Sequence, residues 1–203
     1  MTQQDFWKGE FGDEYIDRNK SEELLASNKI LFAKILSQTK IRPTSVLEIG
    51  ANIGLNLEAL KSLLPRTNFA GVEINKSATE MLRKTGARIF YGSIEEVEIQ
   101  VKYDLVLTKG VLIHINPNNL ETVYQKMYSS SARWILTIEY YSREAEEVLY
   151  RGRQGVLFKR DFAGELMDKF GNNLKLIDYG FVYHRDTFPQ DDLTWFLLEK
   201  GRP

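Results

Sequence analysis

The chain has 203 residues, of which 43% are hydrophobic and 27% charged, with a formal net charge of −1. This is an ordinary globular composition, long enough for one core, and its near-neutral charge gives no support to broad electrostatic binding of nucleic acid or an anionic membrane. It contains no cysteine, which excludes disulfides, thiolate catalysis and cysteine-based zinc sites. The polar start Met1-Thr-Gln-Gln-Asp has no signal-peptide pattern, and no apolar run approaches ~18 residues. A cytoplasmic protein with no membrane partner is the expectation.

In chain order, residues 5 to 20 mix aromatics with charges and show no clean period. Ser21-Glu-Glu-Leu reads as a helix start, and Leu24, Leu25, Ile30, Leu31, Ile35 and Leu36 carry an amphipathic helix to about Gln38. Arg42-Pro43 ends it before a strand over Ser45 to Ile49. Helices over 55–64, 76–84, 118–130 and 161–170 then alternate with strands over 68–73, 88–91, 103–108 and 133–139. Strands over 174–184 and 193–200 close the chain, joined by a short segment that favours antiparallel pairing. Residues 141 to 160 break this rhythm and read as a long loop or short helical insert. The alternation predicts a Rossmann-like, doubly wound α/β fold with a mostly parallel seven-stranded sheet and an antiparallel last strand. A single domain is expected over 1–203, with a helical cap over 1–40, a cofactor-binding half over 44–140, and a substrate-side insert and closing hairpin over 141–203.

The stretch from Val46 to Asn56 is a short apolar strand with Glu48, a turn carrying Gly50 and Gly54, and a helix start. Glycine lets the backbone turn sharply and approach a ligand, and amides opening a helix receive polar ligand groups. Such a turn often only connects a strand to a helix. Glu73 raises its meaning, because an acid about 20 residues past a glycine turn is where a dinucleotide-type fold holds a ribose hydroxyl pair. A nucleoside-cofactor site follows. Ligands in such sheets lie beyond the carboxyl ends of the parallel strands. Those ends hold Glu48 to Gly50, Glu73, Tyr91 to Ser93, Thr108 to Gly110, Glu139 to Tyr141 and His184 to Asp186, with Asp191 and Asp192 joining from the last strand.

The glycine turn Leu47-Glu-Ile-Gly-Ala-Asn-Ile-Gly54, the downstream Glu73 and the closing hairpin resemble class I S-adenosylmethionine-dependent methyltransferases. The segments Phe6 to Tyr15, Gly110 to Ile115, Phe158 to Gly164, Asp178 to Arg185 and Phe188 to Trp195 further resemble the pseudaminic acid biosynthesis-associated methylase family. The general pattern has glycine where this chain has Asn52, a residue that tolerates the left-handed conformation. The resemblance implies S-adenosylmethionine as methyl donor, giving S-adenosylhomocysteine, with Glu48, Gly50, Asn52, Gly54, Glu73 and Ile74 around it. It also implies Ser93 and Ile94 beside the adenine, and Lys109, Gly110 and Val111 on the sulfonium side. The implied acceptor is a small, polar, anionic sugar or nucleotide sugar of a nonulosonic-acid pathway, methylated on oxygen or nitrogen.

Methyl transfer needs alignment, and a base only where the acceptor must lose a proton. His114 and His184 are the candidate bases; ordinary packing and strand-end roles compete with that reading. Tyr15, Arg18 and the preceding aromatics are either a lid over the cofactor or a helix packed on the sheet edge. Glu139, Tyr140 and Tyr141 end the central strand and should face the acceptor, unless the tyrosines are core. Arg151, Arg153, Lys159 and Arg160 form an acid-free basic group that is either a solvated loop or an anion clamp. Arg185 and Asp191 are further acceptor candidates. No residue cluster has metal-ligand spacing, so no metal is expected. A nicotinamide-dependent oxidoreductase and a non-catalytic nucleoside-binding protein are the competing functional classes.

Overall fold

The structure is a computed structural model that describes residues 3–18 and 21–201; the side chains of residues 17 and 18 lie outside the described residues, and with them the Arg18 lid expectation. Two short helices open it, α1 (Gln3–Lys8) and α2 (Glu10–Arg18), where the sequence shows no period. Each buries little of its own surface: Phe6 and Ile16 are the buried apolar residues of this segment. Helix α3 (Glu22–Thr39) begins at Ser21, whose side chain accepts the Leu24 amide at 3.0 Å, and stops where Lys40 adopts φ +59°.

The main body alternates β1 (Ser45–Ile49), α4 (Leu55–Leu63), β2 (Asn68–Glu73), α5 (Lys76–Leu82), β3 (Arg88–Tyr91), β4 (Tyr103–Lys109), α6 (Leu120–Ser130) and β5 (Ser131–Glu139). The insert is not helical: β6 (Glu146–Glu147) and β7 (Phe158–Lys159) form a separate two-stranded ribbon. Helix α7 (Phe162–Phe170) and the hairpin of β8 (Leu174–Val182) and β9 (Leu193–Lys200) complete the chain. The seven strands lie in the order β3-β2-β1-β4-β5-β9-β8, with β9 antiparallel to both neighbours and the others parallel. The expected sheet is therefore the observed one.

Both sheet faces are covered, which is why the central strands read as continuous apolar runs. Period-two alternation divides them. Val46, Leu105, Leu107, Leu136 and Ile138 pack with α3, α4 and Leu82 of α5; Leu47, Ile49, Val106 and Ile135 pack with α6 and α7. The same alternation decides what the strand ends do. Continuing it sends Glu48 and Lys109 toward the α3–α4 face and Glu139 toward the α6–α7 face.

Gly54 sits at φ +91°, and a Cβ there would meet Thr85 at 2.7 Å and Leu82 at 2.8 Å. It serves close packing of the turn against the end of α5. Gly54→Ala adds backbone strain to a clash and is expected to cost about 2–3 kcal/mol, read as a lowered denaturation midpoint at unchanged m-value.

Candidate functional site

A cavity opens above the carboxyl ends of β1, β2 and β4, where the sheet order reverses between β1 and β4. Its floor is the β1–α4 turn. Gly50 has φ +69° and Asn52 φ +48°, so the asparagine takes the left-handed backbone for which the sequence marks it as tolerant. A Cβ on Gly50 would strike Val111 at 2.5 Å, so glycine here lets the β4 loop close onto the turn.

Glu73 fixes the cavity's next wall. One carboxylate oxygen accepts the Asn52 amide and the other the Asn75 amide, both at 2.7 Å. Asn75 also caps α5 by accepting the Ala78 amide at 2.9 Å. Burial raises the Glu73 pKa above the usual carboxylate value, opposed by those amide bonds. Gly92, Ser93, Ile94 and Glu95 line the β3 side, and Lys109, Gly110, Val111, His114 and Asn116 the β4 side. Gly110 has φ +66° with no atom within 4 Å of a built Cβ, leaving open space at that point.

Helices α1 and α2 supply the remaining wall through Gln3, Gln4, Trp7, Gly12 and Tyr15. Gln4 donates to Glu95 at 3.0 Å, Gln3 to the Gly155 carbonyl at 2.9 Å, and Asn75 donates to Asp13 at 3.0 Å. Rings continue the fastening: Trp7 lies 5.4 Å from Tyr15 and 4.7 Å from His114, which lies 5.4 Å from Tyr150 of the insert. His114 Nδ1 lies 2.7 Å from the Val156 carbonyl, so this nitrogen carries the proton and Nε2 keeps its lone pair. Burial depresses its pKa to about 4, leaving the ring neutral near pH 7.

Of the residues singled out in the sequence, Tyr15, Gly50, Asn52, Glu73, Ile74, Ser93, Ile94, Lys109, Gly110, Val111 and His114 share this one cavity. Glu48 lies beneath it: one oxygen accepts Asn56 Nδ2 at 2.6 Å, the other is buried with no partner, and Asn56 is the residue that reaches the wall. Glu139 does not face the cavity as expected. It turns back to accept the Val111 amide at 3.0 Å and so holds the loop that carries His114. His184 and Arg185 are exposed on the β8–β9 connection, away from the cavity. His184 is spent closing that hairpin, its backbone amide and Nδ1 each 2.9 Å from Asp192. Tyr140 donates to Asp191 at 2.8 Å, while Tyr141 is exposed beside Phe196. Tyr150 and Arg153 flank a tight turn made by Arg151 at φ +49° and Gly152 at φ +77°; Arg153 lies 5.3 Å over Phe6. Neither lines the cavity, and Arg160 is taken by Glu165 at 2.7 Å.

Gln4, Asn28, Asn56 and Asn75 line the cavity without having been marked by the sequence, whereas Trp7 is one of the aromatics named as a candidate lid. Asn75 before a helix is a capping signal that was there to be read. Asn28, 1% exposed on the apolar side of α3, carries no such signal. Among the described residues no cluster of acids and histidines is arranged to hold a metal, and no helix is long and apolar enough to cross a membrane.

No protein-family model matches the sequence, and no curated protein matches it either. Solved structures do match in fold. Magnesium protoporphyrin IX methyltransferase from Synechocystis PCC 6803 with bound SAM aligns at TM-score 0.70 and 11% identity, over 99% of this chain and 98% of that one. The 1,6-didemethyltoxoflavin-N1-methyltransferase of Burkholderia thailandensis aligns at TM-score 0.70 and 15% identity, over 98% and 87%. The plantazolicin methyltransferase BpumL aligns at TM-score 0.67 and 16% identity, over 98% and 95%. The chain has the Rossmann-like fold of these class I methyltransferases.

Burial lifts the Glu48 pKa to about 8 and that of Glu139 to about 7. The native state therefore holds protons that the unfolded chain releases above about pH 4.5, and stability falls as pH rises through the native values. His114 acts in the opposite sense, but only between about pH 4 and 6.5. The denaturation midpoint is thus expected to drop between about pH 4.5 and 8, more steeply once His114 no longer opposes it above about pH 6.5, and to level off beyond. Glu48→Gln should flatten that drop and stabilise the protein at the alkaline end by on the order of 2 kcal/mol, measured by thermal melts across the range.

Proposed function

We propose that the chain is an S-adenosylmethionine-dependent methyltransferase, and that its acceptor is a small, polar, sugar-derived molecule methylated on oxygen or nitrogen. One observation carries the donor reading. Buried polar atoms without a hydrogen-bond partner gather around this cavity: Gln3 Oε1, Trp7 Nε1, Asn28 Oδ1 and Asn56 Oδ1 in its walls, and Glu48 Oε2 beneath. Leaving such atoms unsatisfied costs about 1–3 kcal/mol each, a cost that a polar ligand removes.

The residues fit this donor. Glu73 stands at the end of β2 with its carboxylate already oriented by two amides, so it receives a ribose hydroxyl pair without reorganising. Ser93 and Ile94 provide a polar and an apolar contact for a purine, and the open space at Gly110 leaves room beside the β4 loop. The bound donor supplies an electrophilic methyl group on a sulfonium. The chain's part is to orient, to exclude water through α1 and α2, and to manage charge. These helices act as the lid, since their side chains bridge the β3 loop, α5 and the insert.

The sugar-acid acceptor of the nonulosonic-acid type rests on the segment resemblances and on the insert. Arg151 and Arg153 remain available there at the surface, beside the aromatic contacts between the insert and α1, as an anion clamp.

Titration with S-adenosylhomocysteine, followed by Trp7 fluorescence in a background of the two other tryptophans, is expected to give micromolar affinity. Glu73→Ala should weaken it at least tenfold, the loss of two hydrogen bonds to a charged group. Equal affinity in the variant would remove Glu73 from the binding role.

A further inference from the structure

Lys109 ends β4 and lines the cavity between Gly110 and the β1 turn. Its ammonium makes no hydrogen bond and no ion pair within 4.0 Å among the described residues. A lysine amine in a cavity wall that no protein acceptor claims is open to a ligand entering that cavity. Three acids act on it electrostatically from outside the cavity wall: Glu48 on β1, Asp191 before β9 and Glu139 on β5, which turns to the other face of the sheet. Other titratable groups lining the cavity are Tyr15, Glu73, Glu95 and the neutral His114. Burial lowers the Lys109 pKa, against the pull of the three acids.

We propose that Lys109 is the proton acceptor of the transfer, and that the acceptor molecule presents an O–H group to its amine. This deepens the methyl-donor reading and rests on it. A sulfonium and an ammonium in one cavity repel, so the arrival of the cationic donor favours the neutral amine. As an oxygen lone pair forms the bond to the methyl carbon, the carbon–sulfur electron pair stays on sulfur, and the O–H proton passes to Lys109 Nζ. The site then exchanges one cation for another. Sulfonium becomes thioether while amine becomes ammonium, so the cavity's net charge is conserved and a positive charge moves rather than appears. His114 is poorly suited to this task, because its pKa near 4 leaves it a weak base at neutral pH.

The test compares S-adenosylmethionine with its uncharged product. Lysine reactivity toward acetic anhydride, read peptide by peptide by mass spectrometry at fixed pH, is expected to be about tenfold higher for Lys109 in the S-adenosylmethionine complex than in the S-adenosylhomocysteine complex, with surface lysines unchanged. In parallel, calorimetry should show Lys109→Arg, a permanent cation, weakening S-adenosylmethionine about tenfold relative to S-adenosylhomocysteine. Lys109→Met should shift that ratio the other way while both nucleosides still bind. Equal Lys109 reactivity in the two complexes, or an affinity ratio unchanged in both variants, would overturn the proposal alone. Failure of both nucleosides to bind the unaltered chain would overturn the donor reading, and this proposal with it.

Discussion

The Glu73 carboxylate joins two turns that are distant in sequence. By accepting the Asn52 and Asn75 amides it ties the β1–α4 turn to the start of α5, and it does so from a position 7% exposed. A buried carboxylate is costly unless its lone pairs are used, and here two backbone donors use them. The left-handed Asn52 presents its amide for this bond, and the Asn75 cap orients the second. The cavity's shape depends on that pair of contacts. The Glu73 side chain thus combines local structure with the charge that a nucleoside would meet.

The strand ends carry a second constraint. Apolar alternation brings the strands to their carboxyl ends and then gives way to three ionisable groups, the buried Glu48 and Glu139 and the half-buried Lys109. Hydrophobic residues would pack these positions at lower cost. Sites where sequence and stability disagree in this way are where function is expected. The cost is divided between roles. Glu139 anchors the loop bearing His114, Glu48 sits under the α4 start with Asn56, and Lys109 alone of the three lines the cavity. The lid helices add a further unsatisfied set in Gln3 and Trp7, so the cavity is polar on both sides.

Much of the fold was legible because its signals are local. Period-two and period-3.6 patterns located the strands and long helices, Ser21 marked the start of α3, and the short β8–β9 connection implied antiparallel pairing. The glycine turn and Glu73 were legible because their spacing is set by one strand–helix–strand unit. Helices α1 and α2 were not, since each is too short for a period and both are held by contacts to Glu95, Asn75 and Gly155, far away in sequence. The directions of Glu139 and His184 were equally hidden. Lying at a strand end says that a residue is near the rim. Whether it faces the cavity depends on the loop amides that claim Glu139 and on the Asp192 partner that claims His184. Of the two readings of the insert, long loop or short helix, the structure is nearer the first. It is mostly irregular chain whose ribbon has only two residues per strand and closes through a tight turn at Arg151-Gly152, too short a pattern to show in the sequence.

The central claim is that the cavity above β1, β2 and β4 recognises the sulfur nucleoside of a methyl donor. Calorimetric titration of the intact chain with S-adenosylhomocysteine and, separately, with NAD tests it most directly. Stoichiometric micromolar binding of S-adenosylhomocysteine with no heat from NAD is the expected result. Binding of NAD without S-adenosylhomocysteine would contradict the claim and return the same cavity to a nicotinamide enzyme.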